Sequence, residues 1–277
     1  MRRLLNLIVF VALSFLLTLV PQGIWSALLM ANLKTGIRAP WAVGVMAVIV
    51  GVAWLYLGGK WGPQRTSQAR RGYLRANLLP PRVFGWALAA NGFAITALCG
   101  LWIVLFQLMK APGNRLPDFS KYSILDVGLM LGTAAVVGAI SEEAGIRGYL
   151  QGALERFMPG PGAVILAAIV ISPGHGLTQG FVWPTLLFYF LVDTAYGTTA
   201  WLTNSILPGI AAHAAGLLVF FALIWPNDAA RTHIAAVGAA DAWFWLHVAQ
   251  AAVFGVLAVW SFARLANAAG PRPNQRA

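Results

Sequence analysis

The chain has 277 residues, of which 59% are hydrophobic and only 10% are charged. A soluble globular domain carries about 25% charged residues, so this chain cannot cover a water-facing surface and lipid must be its main solvent. The formal net charge of +11 does not indicate a nucleic-acid partner, because the basic residues lie between apolar runs, where anionic lipid headgroups attract them.

Apolar runs long enough to cross a bilayer recur along the whole chain. We predict an all-α, polytopic transmembrane helical bundle of about eight spans. The spans are expected near residues 4–31, 41–59, 83–109, 123–141, 161–178, 181–200, 205–225 and 242–265. The first run lacks a good small-x-small cleavage site after it, so we expect a retained span rather than a removed signal peptide.

The distribution of lysine and arginine between the spans predicts the orientation of the protein. With the N-terminus in the cytoplasm, thirteen of the nineteen basic residues lie on the cytoplasmic side and six on the opposite side, and the loop 60–82 alone holds six of the thirteen. We therefore expect an integral protein of a bacterial inner (plasma) membrane with both termini in the cytoplasm. The polar tail from Gly270 to Ala277 is expected to be disordered.

Prolines and a glycine interrupt the fifth, sixth and seventh runs, at Pro173, Gly174, Pro184 and Pro208. Broken helices are tolerated at membrane depth only where protein or a water-filled cavity satisfies the freed backbone groups. We therefore expect the functional half of the chain between residues 140 and 220.

Ionisable side chains inside a span cost several kcal/mol, so each is a functional candidate. The candidates in or beside the spans are Asp126, Glu142, Glu143, Arg147, His175, Asp193, His213 and His247. Asp126 could cap a helix at the start of its span. His247 lies among aromatic residues at a span end and indicates an interfacial belt. Asp193 could pair with Arg147 or with a histidine, and the sequence does not choose.

The adjacent carboxylates Glu142 and Glu143 precede Arg147 in a segment that could be helical. Glu143 and Arg147 would then lie four residues apart on one face, in the favourable orientation for an ion pair. Glu142 would point about 100° away. Two carboxylates in different environments are common in acid–base catalysis, so Glu143 is expected to orient Arg147 and Glu142 to be free for chemistry. The alternative is a cytoplasmic helix end with solvated charges.

Two histidines, His175 and His213, lie in separate interrupted runs and are flanked by small residues that allow close approach. Either could be a satisfied polar contact between spans. Together with Glu142 they could hold a water for nucleophilic attack, and they are also ligand types of a zinc site. The H-E-x-x-H pattern of soluble zinc proteases is absent from the sequence.

Three groups of these residues resemble the motifs of the CPBP family, the CAAX-protease and bacteriocin-processing intramembrane proteases, also called the Abi family. The first motif is similar to Glu142-Glu143-x-x-x-Arg147-Gly148-Tyr149-Leu150-Gln151, the second to His175, and the third to Thr203-Asn204-Ser205, Pro208 and His213. The resemblance covers roughly residues 125–225. It divides the chain into N-terminal spans (1–122), a CPBP-like catalytic core (123–225), and a C-terminal span with its tail (226–277).

The resemblance implies an eight-helix bundle that hydrolyses peptide bonds at a site open to the membrane and cytosol. Glu142 would be the general base, His175 would help hold the water, and His213 would stabilise the oxyanion, with Glu143 and Arg147 structural. Because such proteins are described both as metalloproteases and as glutamate-and-water proteases, a zinc cofactor is an open expectation, with Glu142, His175 and His213 as its ligands. The implied partners are a peptide or membrane-protein substrate, such as a prenylated CAAX-type tail, and the lipid bilayer.

The sequence departs from the family pattern at three positions. Ile171 and Ile146 stand where the family has phenylalanine, and Leu217 stands where it often has asparagine. An oxyanion hole that lacks one donor can lose about 10²–10³ in rate; Asn204 or Ser172 could substitute. Two other functions therefore stay open: an inactive relative that acts as a membrane binding or immunity protein, and a transporter, although the hydropathy shows no inverted repeat.

Overall fold

The computed structural model describes residues 2–109, 117–230, 233–234 and 240–270, and over these residues it is helical, with no strand. The helices are α1 Arg2–Lys34, α2 Trp41–Leu57, α3 Gln64–Leu74, α4 Pro81–Leu108, α5 Ile124–Glu142, the single turn α6 Gly152–Leu154, α7 Gly160–Gln179, α8 Trp183–Thr203, α9 Leu207–Val219 and α10 Ala242–Ala269. A π-helix, Glu143–Gln151, joins α5 to α6. Helix α9 continues through a π-helical turn, Phe220–Ile224, and a 3-10 helix, Trp225–Ala230.

Each of the eight predicted spans coincides with a helical segment. Five described segments are long and apolar enough to cross a membrane, namely Leu7–Lys34, Pro81–Leu108, Ile124–Leu154, Leu207–Asp228 and Ala242–Ala269. Two shorter apolar helices, Trp41–Leu57 and Gly160–Gly176, accompany them. The prediction of an all-α polytopic bundle is confirmed, and the number of eight spans is approximate.

Several helix starts follow from local chemistry. Ser123 accepts a hydrogen bond from the backbone of Asp126 and donates one to its carboxylate, so serine caps α5 and Asp126 completes the cap. Pro184 and Pro208 lie in the first turns of α8 and α9, where a missing N–H costs nothing. These two prolines start helices rather than breaking them, whereas Pro173 lies inside α7.

The basic loop 60–82 contains α3, which the sequence did not predict. The residues that follow α3 are hydrogen-bonded to the turn between α8 and α9. Ile206 donates its backbone N–H to the carbonyl of Arg75 at 3.1 Å, and the Asn77 side chain donates to the carbonyl of Asn204 at 2.6 Å. Ser205 returns a bond to the carbonyl of Asn77 at 2.6 Å. This hydrogen-bonded junction fixes the loop against the helices that carry the candidate residues.

Aromatic packing between α4, α8 and the end of α9 forms a large cluster of buried side chains. The ring of buried Trp102 stacks on Phe106 at 4.3 Å and meets Phe188 edge-on at 4.7 Å. Helix α10 packs along α4, where His247 is buried and its Nδ1 lies 2.9 Å from Oε1 of Gln250. Of the tail predicted to be disordered, Gly270 to Ala277, only Gly270 lies within the described residues. Five of the basic residues counted for orientation also lie outside them.

Candidate active site

A cluster of charged side chains lies where α5, the π-helix, α8 and α9 meet. The π-helix begins immediately after Glu142 and carries Glu143 and Arg147, α8 supplies Asp193, and α9 supplies His213. Three carboxylates, one guanidinium and one imidazole thus come together from four helical elements. In the structure Asp193 pairs with Arg147, one of the alternatives that the sequence had left open.

Arg147 is held between two carboxylates. Its terminal nitrogen lies 2.6 Å from Oδ1 of Asp193, and its Nε lies 3.7 Å from Oε1 of Glu143. Glu143 is 0% and Arg147 1% exposed, so these are not the solvated charges of a helix end. The pairing over four residues persists although the segment is a π-helix. A buried pair of this kind is costly to break; the structural part expected of Glu143 and Arg147 stays a prediction.

His213 lies between the two adjacent glutamates. Its Nδ1 is 3.2 Å from Oε1 of Glu143, and its Nε2 is 3.7 Å from Oε2 of Glu142. The ring stacks on Tyr196 with the centroids 4.7 Å apart. Gly209 precedes His213 by one turn, and a Cβ atom there would lie only 2.5 Å from Oε2 of Glu143. The absence of a side chain at Gly209 therefore lets α9 approach closely enough for His213 to reach both carboxylates.

Glu142 is the most accessible carboxylate of the cluster, with 13% of its side chain exposed. Its Oε1 accepts a hydrogen bond of 3.1 Å from Nε2 of Gln22 on α1, while its Oε2 faces His213. Gln22 is not among the residues predicted from the sequence. The available signal was a polar stripe at four-residue spacing in an apolar run, formed by Ser14, Thr18 and Gln22.

His175 joins this region from α7. Its ring lies parallel to the ring of Tyr189, 3.7 Å between centroids, and it is close enough to interact electrostatically with Glu142 and Asp193. One turn earlier, Ser172 donates to the carbonyl of Ala168 at 2.6 Å. The hydroxyl of Ser172, considered as a substitute oxyanion donor, is thus directed to its own helix.

The two remaining predicted positions are Asn204 and Leu217. Asn204 is exposed at the end of α8, where its side-chain oxygen accepts a hydrogen bond of 3.0 Å from Nε of Arg75. This contact gives Asn204 a structural part in the junction; its support of an oxyanion stays a prediction. Leu217, one turn after His213, lines an apolar cavity of about 50 Å³ together with Tyr196 and His213.

The expected zinc site can be compared with the side chains present. In the part of the chain that the structure describes, no three or more histidine, cysteine, aspartate or glutamate side chains form a ligand set for a metal ion. Both ring nitrogens of His213 instead face carboxylate oxygens.

Comparison with known protein families finds a match to part of the chain. Residues 125–219 match the family described as Rce1-like, the type II CAAX prenyl endopeptidase Rce1-like proteins. No curated protein and no solved structure matches the chain. The matched segment contains Glu142, His175 and His213 but not Gln22, and it confirms the resemblance drawn from the motifs. The chain is an integral membrane protein, and its residues 125–219 match an Rce1-like domain of the CPBP family.

Proposed function

We propose that this protein is an intramembrane endopeptidase that hydrolyses peptide bonds of membrane-associated, CAAX-like substrates with a water activated by Glu142. The match to the type II CAAX prenyl endopeptidases supports a CAAX-type endopeptidase in general. The observation that carries the finer proposal is the position of Glu142, whose accessible carboxylate faces a histidine at 3.7 Å inside an apolar bundle.

The spacing between Glu142 and His213 suits a shared water. At 3.7 Å, Oε2 and Nε2 are too far apart for a direct hydrogen bond. A water placed to one side can lie about 2.8 Å from both atoms, at the apex of a triangle. Such a water has an acceptor for its proton and a ring nitrogen that fixes its orientation, which are the requirements of general-base activation.

The side chains of the cluster can carry out every proton transfer that the proposed hydrolysis needs. Glu142 takes a proton from the water as its oxygen bonds to the peptide carbonyl carbon, and Glu142 then gives that proton to the leaving amine as the C–N bond breaks. A proton on Nε2 of His213 can be donated first to the water and then, as the new bond forms, to the oxygen that becomes negative. Glu143 holds Nδ1 of the same ring, 3.2 Å away, and so fixes its direction.

The test is cleavage by purified full-length protein in proteoliposomes. The substrate is a peptide with a prenylated CAAX-type C-terminus, and mass spectrometry detects the fragments. We expect cleavage by the wild type and a loss of at least about 10³-fold in Glu142→Gln, because an amide cannot accept the proton. Asp118→Asn is the matched control, since it removes an exposed carboxylate outside the cluster. Equal rates for Glu142→Gln and wild type would refute the proposal.

A second candidate function is favoured by Leu217. Its apolar side chain lies one turn after His213 in the wall of the apolar cavity, where it offers no donor to an oxyanion. A relative with an incomplete oxyanion hole could bind membrane partners without cleaving them, as an immunity protein would. Under this alternative, no peptide is cleaved, and the triple variant Glu142→Gln, His175→Ala, His213→Ala keeps the binding activity of the wild type.

A further inference from the structure

Helix α1 presents one polar face within an otherwise apolar span. Ser14, Thr18 and Gln22 are spaced four residues apart, so they lie on the same side of the helix. Ser14 and Thr18 are buried and Gln22 is partly buried. In a lipid environment, a polar stripe of this kind faces other helices rather than acyl chains, and here it faces the π-helix.

The approach of α1 to the π-helix is close enough to fix the position of Gln22. At Gly145, a Cβ atom would collide with the hydroxyl of Thr18 and would lie 2.6 Å from the backbone oxygen of Ser14. Glycine at this position therefore allows the two backbones to meet directly. One turn further along α1, Gln22 reaches the end of α5.

Gln22 contacts the carboxylate proposed as the base. Its Nε2 donates to Oε1 of Glu142 at 3.1 Å and lies 3.4 Å from the hydroxyl of Ser141. The opposite oxygen, Oε2, faces His213. With Oε1 held from α1, rotation of the carboxylate about its last bond is restricted, and Oε2 is kept towards the position of the shared water. Hydrogen bonds to a charged group are stronger than those between neutral groups.

We propose that Gln22 is a positioning residue for Glu142, so that α1, which lies outside the segment matched to the family, supplies part of the active site. The assignment rests on the proposed function for its kinetic consequence, but the contact itself can be tested without any substrate. Gln22 acts through Glu142 and has no contact with the peptide in this proposal.

The kinetic test uses Gln22→Met, which keeps the length of the side chain and removes the donor. With the prenylated CAAX-type peptide in proteoliposomes, we expect kcat to fall by about 10- to 100-fold, the effect of losing one hydrogen bond to a charged group. KM should change by less than about threefold, because ground-state binding of the peptide is untouched. A purely structural role would reduce the amount of folded protein and leave kcat per folded molecule unchanged, and that result would overturn the proposal.

Thr18→Val is the matched control on the same face of α1. Thr18 is buried, and its hydroxyl has no hydrogen-bond partner among the described residues. Valine replaces this hydroxyl by a methyl group and leaves no hydrogen-bond partner unpaired, so kcat should stay within about twofold of the wild-type value. An equal loss of kcat in Thr18→Val and Gln22→Met would assign the effect to helix packing and contradict the positioning role.

A double-mutant cycle in thermal stability separates this proposal from the proposed function. The Tm values of Gln22→Met, Glu142→Ala and the double variant are measured on purified full-length protein. We expect the two shifts to be non-additive by about 2 °C or more, because both variants remove the same hydrogen bond. Additive shifts would overturn the inference. If the wild type cleaves no peptide but the coupling is present, the proposed function fails while the positioning of Glu142 by Gln22 stands.

Discussion

Arg147 is a buried cation whose charge is balanced from two directions, by Glu143 in the preceding turn and by Asp193 on α8. Removing one partner of such a pair leaves a charge without compensation in a medium that cannot solvate it, at a cost of about 3–5 kcal/mol. The same guanidinium lies 5.5 Å from the ring of Tyr196, the residue on which His213 stacks. The stability of the cluster and the direction of the histidine therefore depend on the same group.

Asp193→Asn should lower the Tm by about 10 °C, because the amide cannot neutralise Arg147. The measurement is thermal unfolding of the purified protein in detergent. Ser172→Ala is the control, since the Ser172 hydroxyl approaches the same carboxylate at 3.5 Å but is already bonded to its own helix. It should shift Tm by less than about 2 °C. A wild-type Tm for Asp193→Asn would show that the ion pair does not stabilise the fold.

At the scale of the helices, three glycines determine how closely neighbouring segments can approach one another. Gly145 meets α1, Gly148 meets the end of α3, and Gly209 meets the side chain of Glu143. At Gly148 a Cβ atom would lie 2.8 Å from the backbone oxygen of Tyr73. Small residues at helix contacts allow this approach in membranes, where association depends on packing. A methyl group at any of these three positions would require the facing atoms to move.

Gly145→Ala is expected to lower Tm by about 5 °C, because the added methyl group must displace the backbone of α1. Gly128→Ala in α5 provides the comparison, since its Cβ position has no described atom within 4 Å. Alanine favours a helix more than glycine does, so Gly128→Ala should leave Tm unchanged or raise it. Both values come from the same thermal unfolding experiment. Equal destabilisation of the two variants would mean that the contact with α1 is not responsible.

At the scale of the whole molecule, the sequence could predict the features that depend on composition and on charge. Charged residues in apolar runs are conspicuous, so Glu142, Glu143, Arg147 and His213 could be found directly, and the apolar runs predicted the helices. Gln22 carries no charge and produced only a weak signal. The partner of Asp193 could not be predicted, because Arg147 lies 46 residues away in the chain and their contact depends on how α8 packs against the π-helix.

The orientation of the molecule is a prediction from the basic loop 60–82. In a Cys99→Ala background, which removes the sole cysteine, single cysteines at the exposed positions Lys60 and Lys121 can be labelled with a membrane-impermeant maleimide. We expect Lys60→Cys to react from the cytoplasmic side, in everted vesicles, and Lys121→Cys in right-side-out vesicles. In detergent, both single-cysteine variants should react with the maleimide. The reverse pattern would place the N-terminus outside.

The π-helix between Glu143 and Gln151 also has a consequence for comparing related sequences. Its hydrogen bonds join residues five apart rather than four, so the segment holds one more residue than an α-helix between the same two ends. It acts as a single-residue insertion inside a helix. A relative with an ordinary helix at this place would need a one-residue gap in the alignment. An alignment drawn without the gap would pair every residue on one flank with the neighbour of its true counterpart.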